Sequence, residues 1–222
     1  MEKNGKNKGI IGALSAFYMA LSYLVGIVIF LVVLKYPEIT SDLDKIRLLY
    51  EYKHIFYYTN ILMYILFGPV LIMFILSLKG RFKENSSLLL SFSAIIGYIW
   101  AGSLIACGMV SNYAIEPVLA IYNNDAERAS WLWKIFDTVS IGIGNGSGEI
   151  LGGIFTFSLS IFALKSKHLN KFINVIGIIA GIAGIISIIP ILNALVGVFA
   201  ITQIIWFIAI GIFFLKRSIE NI

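Results

Sequence analysis

The chain has 222 residues, 59% hydrophobic and 13% charged, with a mean hydropathy of +0.91 and a net charge of +5. A soluble domain carries about 25% charged residues, so this composition excludes an ordinary cytosolic enzyme, a disordered chain and, despite the positive charge, a nucleic-acid module. One cysteine, Cys107, excludes a disulfide scaffold.

A basic start with Lys3, Lys6 and Lys8 leads into the first apolar stretch, residues 10–34. A hydrocarbon core of roughly 30 Å needs about 20 helical residues, and a secretory apolar region has only about 7–15. The stretch predicts an uncleaved transmembrane helix. Residues 35–54 then read as an amphipathic helix. Ser41 with Asp44 forms a capping-box pattern, Leu43, Ile46 and Tyr50 share a face, and Asp44–Arg47 and Arg47–Glu51 stand at pairing distance. Residues 55–78 predict the second span, with Asn60 near its outer end and a kink at Gly68-Pro69.

The basic loop with Lys79, Arg81 and Lys83 precedes a third span at residues 88–113. Residues 114–140 repeat the amphipathic theme. Asn124 with Glu127 is a second capping signal, and Ala129, Leu132, Trp133 and Phe136 follow at i, i+3, i+4, i+7. Tyr36, Tyr57, Tyr58, Trp131 and Trp133 fall where an outer aromatic belt belongs. The two amphipathic segments either cap the outer end of the bundle, lying at the interface, or form a lid over an external cavity.

The fourth span, residues 141–164, begins IGIGNGSGEILGG. Gly142, Gly144, Gly146 and Gly148 alternate, and each costs up to about 1 kcal/mol against Ala in a helix. The favoured expectation is a continuous helix with two small-residue faces, since glycine is tolerated in membrane helices. The competing one is a break near Asn145 that exposes backbone to a cavity. The glycines match no phosphate-binding loop. After Lys165, Lys167 and Lys171, the fifth span at residues 172–189 carries Gly177, Gly181 and Gly184, a close-packing pattern. Pro190 ends it, and a tight turn through Asn193 makes a hairpin with the sixth span, residues 194–215, before Lys216 and Arg217.

These stretches lack the alternation of a membrane β-barrel strand. The expected fold is therefore all-α, a single domain of six transmembrane helices with two external amphipathic segments. Eleven Lys and Arg lie at the termini and in the even-numbered loops, against six in the odd-numbered ones: Lys35, Lys45, Arg47, Lys53, Arg128 and Lys134. Both termini are expected in the cytoplasm and the chain in the plasma membrane.

Glu149 is the one acid inside a predicted span. Counted from Leu164, it lies roughly 22 Å into the core, in the outer half. A carboxylate there must be paired, hydrated or protonated, which makes it a functional candidate by default. The predicted spans contain no Lys, Arg or His, so its partners must be neutral groups, water or a cation. Asn145, Ser147, Gln203 and Asn60 complete the candidate ligand- or ion-binding set. The competing reading is a structural Glu that serves as polar glue between helices. Trp100 and Trp206 read as core, and His54 and His168 as too isolated for a metal site. The sequence carries no zinc motif, paired intramembrane acids, redox cysteines or cofactor signature, so no catalytic residue, metal or cofactor is assigned. The expected partners are the lipid bilayer and a small molecule or cation. Nucleic acid is excluded, and no oligomer is indicated.

The segments LGGIFTFSLSIFALKSKHLNKFINVIGIIAGIAG (residues 151–184) and IIWFIAIGIFFLKRS (204–218) resemble an uncharacterised family of small prokaryotic six-helix integral membrane proteins, a domain of unknown function. Members often carry a proline in the fourth loop, where residues 167–171 here have none. The resemblance implies the topology and a prokaryotic source, and transfers no catalytic residue.

The leading expectation is a transporter-like protein handling a small ligand or ion through an outer-side polar cavity. The alternative is a non-transporting sensor, scaffold or assembly protein in which Glu149 is structural. An enzyme using Glu149 as acid or base ranks third.

Overall fold

The computed structural model describes residues 2–82, 87–145 and 149–219, with the side chains of residues 2–6 and of Asn145 outside that description. Every regular element among the described residues is helical: α1 (Glu2–Ile27), α2 (Asp42–Glu51), α3 (Lys53–Asn60), α4 (Phe67–Phe82), α5 (Leu88–Tyr122), α6 (Ala126–Ser140), α7 (Ile150–Lys165), α8 (Lys171–Ile186) and α9 (Leu195–Ile219). Among the described residues, four helical stretches are long and apolar enough to cross a membrane: Asn7–Val33, Lys53–Phe82, Leu88–Tyr122 and Leu195–Ile219. The remaining two expected spans correspond to α7 and α8, apolar helices of 16 residues each.

Contacts divide the chain into two units. One comprises Met1–Leu21, Gly68–Gly102 and Gly146–Ile222, the other Ser22–Phe67 and Ser103–Asn145.

In the first unit α8 packs against both α7 and α9. The α7–α8 contact is built on glycine. A Cβ on Gly153 would lie 2.7 Å from the Ile185 nitrogen and 2.9 Å from the Gly181 oxygen, so the two backbones touch where side chains would separate them. The predicted α8–α9 hairpin is present, with Pro190 opening the 3-10 turn Pro190–Leu192. Trp206, Phe74, Phe207 and Phe214 are fully buried, and Phe74 meets the other three rings edge-on. His168 follows α7 in the loop to α8 and packs back on the unit. Its Nε2 donates to the Phe82 carbonyl at 3.0 Å, and its ring sits against Phe82 and Phe162.

In the second unit α2 packs on α6. Ile46 and Leu49 of α2, Ala129 and Trp133 of α6, and Ala114, Ile115, Val118 and Leu119 of α5 form a core with Leu34 and Phe56. The expected face of α6 is the buried one, with Leu132 and Phe136 packed at its edge. For α2 the face is corrected. Ile46 and Leu49 are buried, while Leu43 and Tyr50 are 49% and 47% exposed. Trp133 is buried in this core, whereas Trp131 is 62% exposed.

Both capping expectations are adjusted. Ser41 holds the N-cap position of α2, but its side chain makes no capping bond. The N-cap of α6 is Asp125, one residue after Asn124, and its Oδ1 accepts from the Arg128 N–H at 2.9 Å. Neither Asp44–Arg47 nor Arg47–Glu51 is among the ion pairs of the described residues. Asp42 instead meets Lys134 at 2.8 Å and Lys45 at 4.0 Å.

The disturbance expected at Gly68-Pro69 lies just upstream. Residues Ile61–Ile65 widen into a π-helix, and the Leu66 N–H donates to the Ile61 carbonyl at 2.8 Å. Proline lacks the N–H that would have bonded four residues back, and the wider turn takes up the mismatch. The third predicted span also ends later than expected. The helix runs through Pro117 to Tyr122, 35 residues in all.

Candidate functional site

The expectation of a continuous fourth helix is overturned. α6 runs into a π-helical turn, Ile141–Asn145, in which Gly144 departs from helical geometry (φ 173°, ψ 3°), and Glu149, also outside helical geometry, is the N-cap of the next helix, α7. The low helix propensity of the alternating glycines is the physical reason. Gly146, Ser147 and Gly148 lie outside the described residues, as does the Asn145 side chain.

Glu149 therefore stands at the head of a helix, in the N-cap position of α7. Its backbone is tied on both sides. The N–H donates to the Ser187 Oγ at 3.3 Å, and the carbonyl accepts from the Gly153 N–H at 2.7 Å. Ser187 is fully buried at the end of α8, and its Oγ donates to the Gly184 carbonyl at 2.8 Å. Asn193, in the turn to α9, donates its Nδ2 to the Ser187 carbonyl at 3.4 Å. One serine thus joins the start of α7, the end of α8 and the α8–α9 turn.

The Glu149 side chain makes no capping bond to its own helix. It is half-buried and stands at the positive end of the α7 dipole, where the first N–H groups lack intrahelical acceptors. A carboxylate so placed can accept a proton, a cation or the donor of a small ligand.

Gln203 belongs to the same unit but has different company. It is fully buried, its Nε2 donates to the Thr156 Oγ1 at 3.0 Å, and that hydroxyl in turn donates to the Gln203 Oε1 at 3.1 Å. Thr156 is seven residues after Glu149, about 10 Å further along α7. Gly152 lies between, and its missing Cβ leaves room for Trp100 at 2.8 Å and Phe199 at 2.9 Å. Ser93 and Ser158 make a further buried link, 2.8 Å apart.

Asn60 lies in the second unit and is also buried. Its Nδ2 donates to the Asn112 Oδ1 at 3.0 Å, and the Asn112 Nδ2 donates to the Tyr57 carbonyl at 3.2 Å. In the same unit the Ser140 Oγ donates to the Cys107 carbonyl at 3.0 Å and bonds the Ser111 hydroxyl.

Thr156, Ser187, Asn112 and Ser140 are the partners that sequence reasoning missed. Their only signal is a small polar group in an apolar run. Among the described residues no three His, Cys, Asp or Glu gather to hold a metal ion.

Charge collects on α2 and α6. Asp42 bridges Lys134 and Lys45, and the Lys45 ammonium lies 5.9 Å from the centroid of the Tyr36 ring. The hydrogen bond from Lys134 holds the Asp42 carboxyl below its usual range. Burial pushes the half-buried Asp137 carboxyl up, with Lys45 opposing and Asp42 reinforcing. Tyr36 is pushed up to about 12, by burial first and then by the Asp137 charge. No protein-family model matches the chain, and no curated protein or solved structure matches it.

Proposed function

We propose that this is a multi-pass protein of a prokaryotic plasma membrane. It crosses the bilayer six times with both termini in the cytoplasm, and it handles a small ligand or cation at the interrupted fourth span around Glu149. The four long apolar helices supply four crossings, and α7 and α8 supply the others. The excess of Lys and Arg at the termini and in the even-numbered loops supports the orientation.

The observation that carries the reading is the interruption itself. Helical geometry is lost at Gly144, and α7 restarts after Glu149, whose carboxylate does not cap its own helix. Discontinuous spans with helix ends at the membrane interior are how many transporters build ion and substrate sites. Asn145 and Ser147 fall between Gly144 and Glu149 in sequence. Gln203, bonded to the buried Thr156, and Asn60, bonded to Asn112, serve here as framework.

The test is flux in proteoliposomes, with Na+, K+ and H+ gradients imposed in turn, for wild type and Glu149→Gln. A current or dye response in wild type that falls at least about tenfold in the variant supports the reading. Equal responses sink it. The second reading, a sensor, scaffold or assembly protein, draws on the Ser187 link, which gives the head of α7 a structural role independent of the Glu149 carboxylate.

A further inference from the structure

At the opposite end of α7–α9 from Glu149, the first turn of α8 and the last turns of α9 enclose an open groove of about 320 Å³. Its walls include Asn170, Phe172, Ile212, Phe213, Lys216 and Arg217. Lys216 and Arg217 are exposed, and neither pairs with an acid among the described residues. Glu220, three positions after Arg217, lies outside those residues. The Arg217 guanidinium lies 5.1 Å from the centroid of the Phe213 ring. A second guanidinium, that of Arg81, lies 5.8 Å from the centroid of the Phe214 ring. Asn170 caps α8 with its Oδ1, which accepts from the Ile173 N–H at 2.9 Å, so its NH2 group is left as a donor at the rim.

The groove is amphiphilic rather than merely basic. Phe172 is 64% exposed beside the cations. Below them, exposed Ile212, Ile208, Ile205 and Ile201 form one stripe down α9 at helical spacing. A soluble anion would use the cations and leave the stripe bare. A lipid with a charged headgroup would use both.

We propose that this groove binds the phosphodiester headgroup of an anionic phospholipid, held by Lys216 and Arg217, with an acyl chain along the isoleucine stripe of α9. The proposal rests on the membrane reading above and adds a specific ligand class at the basic end of the molecule. Basic pockets between membrane helices on the cytoplasmic side recognise headgroups in this way.

The experiment is native mass spectrometry of the full chain in neutral detergent, titrated with phosphatidylglycerol, phosphatidylcholine or inorganic phosphate. Phosphatidylglycerol should bind more tightly than phosphatidylcholine. Lys216→Gln with Arg217→Gln should weaken it about thirtyfold, from about fivefold per surface cation. Lys165→Gln with Lys167→Gln, which alters the same basic end outside the groove, should change it by less than about threefold. If the Lys216/Arg217 double variant loses helical circular dichroism, the single Lys216→Gln change is read instead, with about a fivefold loss expected.

Equal binding of the two lipids overturns the proposal. So does an equal loss in both double variants, which would mean diffuse attraction. Displacement of the lipid by millimolar phosphate would reassign the groove to a free anion. Alkaline carbonate extraction separates the two levels. A chain released from membranes ends the membrane reading and this proposal together, whereas a chain retained but indifferent to headgroup ends this proposal alone.

Discussion

Gln203 and Thr156 exchange two hydrogen bonds across the α7–α9 interface, at 3.0 and 3.1 Å, with both side chains fully buried. The pair satisfies a fully buried amide. Gln203→Leu should destabilise the protein by about 1–2 kcal/mol, because it leaves a buried hydroxyl without its partner. Thr156→Val should cost a similar amount by stranding the amide. The double variant should cost less than the sum, with a coupling of about 0.6–1.7 kcal/mol. Reversible unfolding in mixed detergent micelles measures all three, and strict additivity would mean the bonds contribute nothing.

Glycines divide by what surrounds them. Gly153→Ala drives a methyl into the backbone of α8 at Ile185 and Gly181, and helix backbones cannot step aside singly. A loss of about 1–3 kcal/mol is expected, the usual cost of overpacking. Gly102 and Gly197 have nothing within 4 Å of an added Cβ. Alanine there should stabilise by up to about 1 kcal/mol through helix propensity. The opposite signs are read from thermal unfolding midpoints of the three variants.

Asp42 and Asp137 make stability depend on pH in opposite senses. Asp42 lies below the usual value of 3.8, so its contribution is present above that value and fades as the pH falls through the folded pKa. Asp137 lies above 3.8, so the stability tied to its protonated form is full below that value and fades as the pH rises through its folded pKa. Asp42→Asn should flatten the stability profile on the acid side of 3.8. Asp137→Asn should flatten it on the other side and raise stability at neutral pH. A pH series of unfolding midpoints on both variants checks the two signs independently.

Lys167 ends α7 in the left-handed region, with φ of 57°. The His168 N–H returns to the Ala163 carbonyl at 3.1 Å, the wrap that terminates a helix and is usually built on glycine. Lys167→Gly should therefore stabilise by about 0.5–1 kcal/mol, and Lys167→Val should destabilise by more. Equal midpoints for the two variants would show that this turn is not strained.

Much of the fold could be read from apolar run lengths, because lipid-like stretches have one backbone solution. The i, i+3, i+4, i+7 face of α6 was equally readable, since Ala129, Leu132, Trp133 and Phe136 admit no other partner surface. The α2 face was not. Leu49 and Tyr50 are adjacent candidates, and only the position of α6 decides between them. The N-cap of α6 slipped by one because Asn124 and Asp125 are both good caps. At the candidate site, Glu149 was conspicuous as an acid in an apolar run, but the break beside it was a matter of degree. Alternating glycines weaken a helix without specifying where it yields. The serine that holds Glu149 in place, Ser187, is 38 residues away in sequence, and no local pattern points to it.

The 16-residue lengths of α7 and α8 have a consequence for the membrane itself. Each helix is about 24 Å long, about 6 Å short of an average hydrocarbon core. If α7 and α8 cross the bilayer as proposed, it must thin around them, or headgroups and water must descend to the Glu149 end. On that proposal, hydrophobic mismatch becomes a control variable. Thin, short-chain bilayers should leave the α7 head at the interface, and thick ones should draw it into hydrocarbon, so lipid chain length alone would tune how wet Glu149 is.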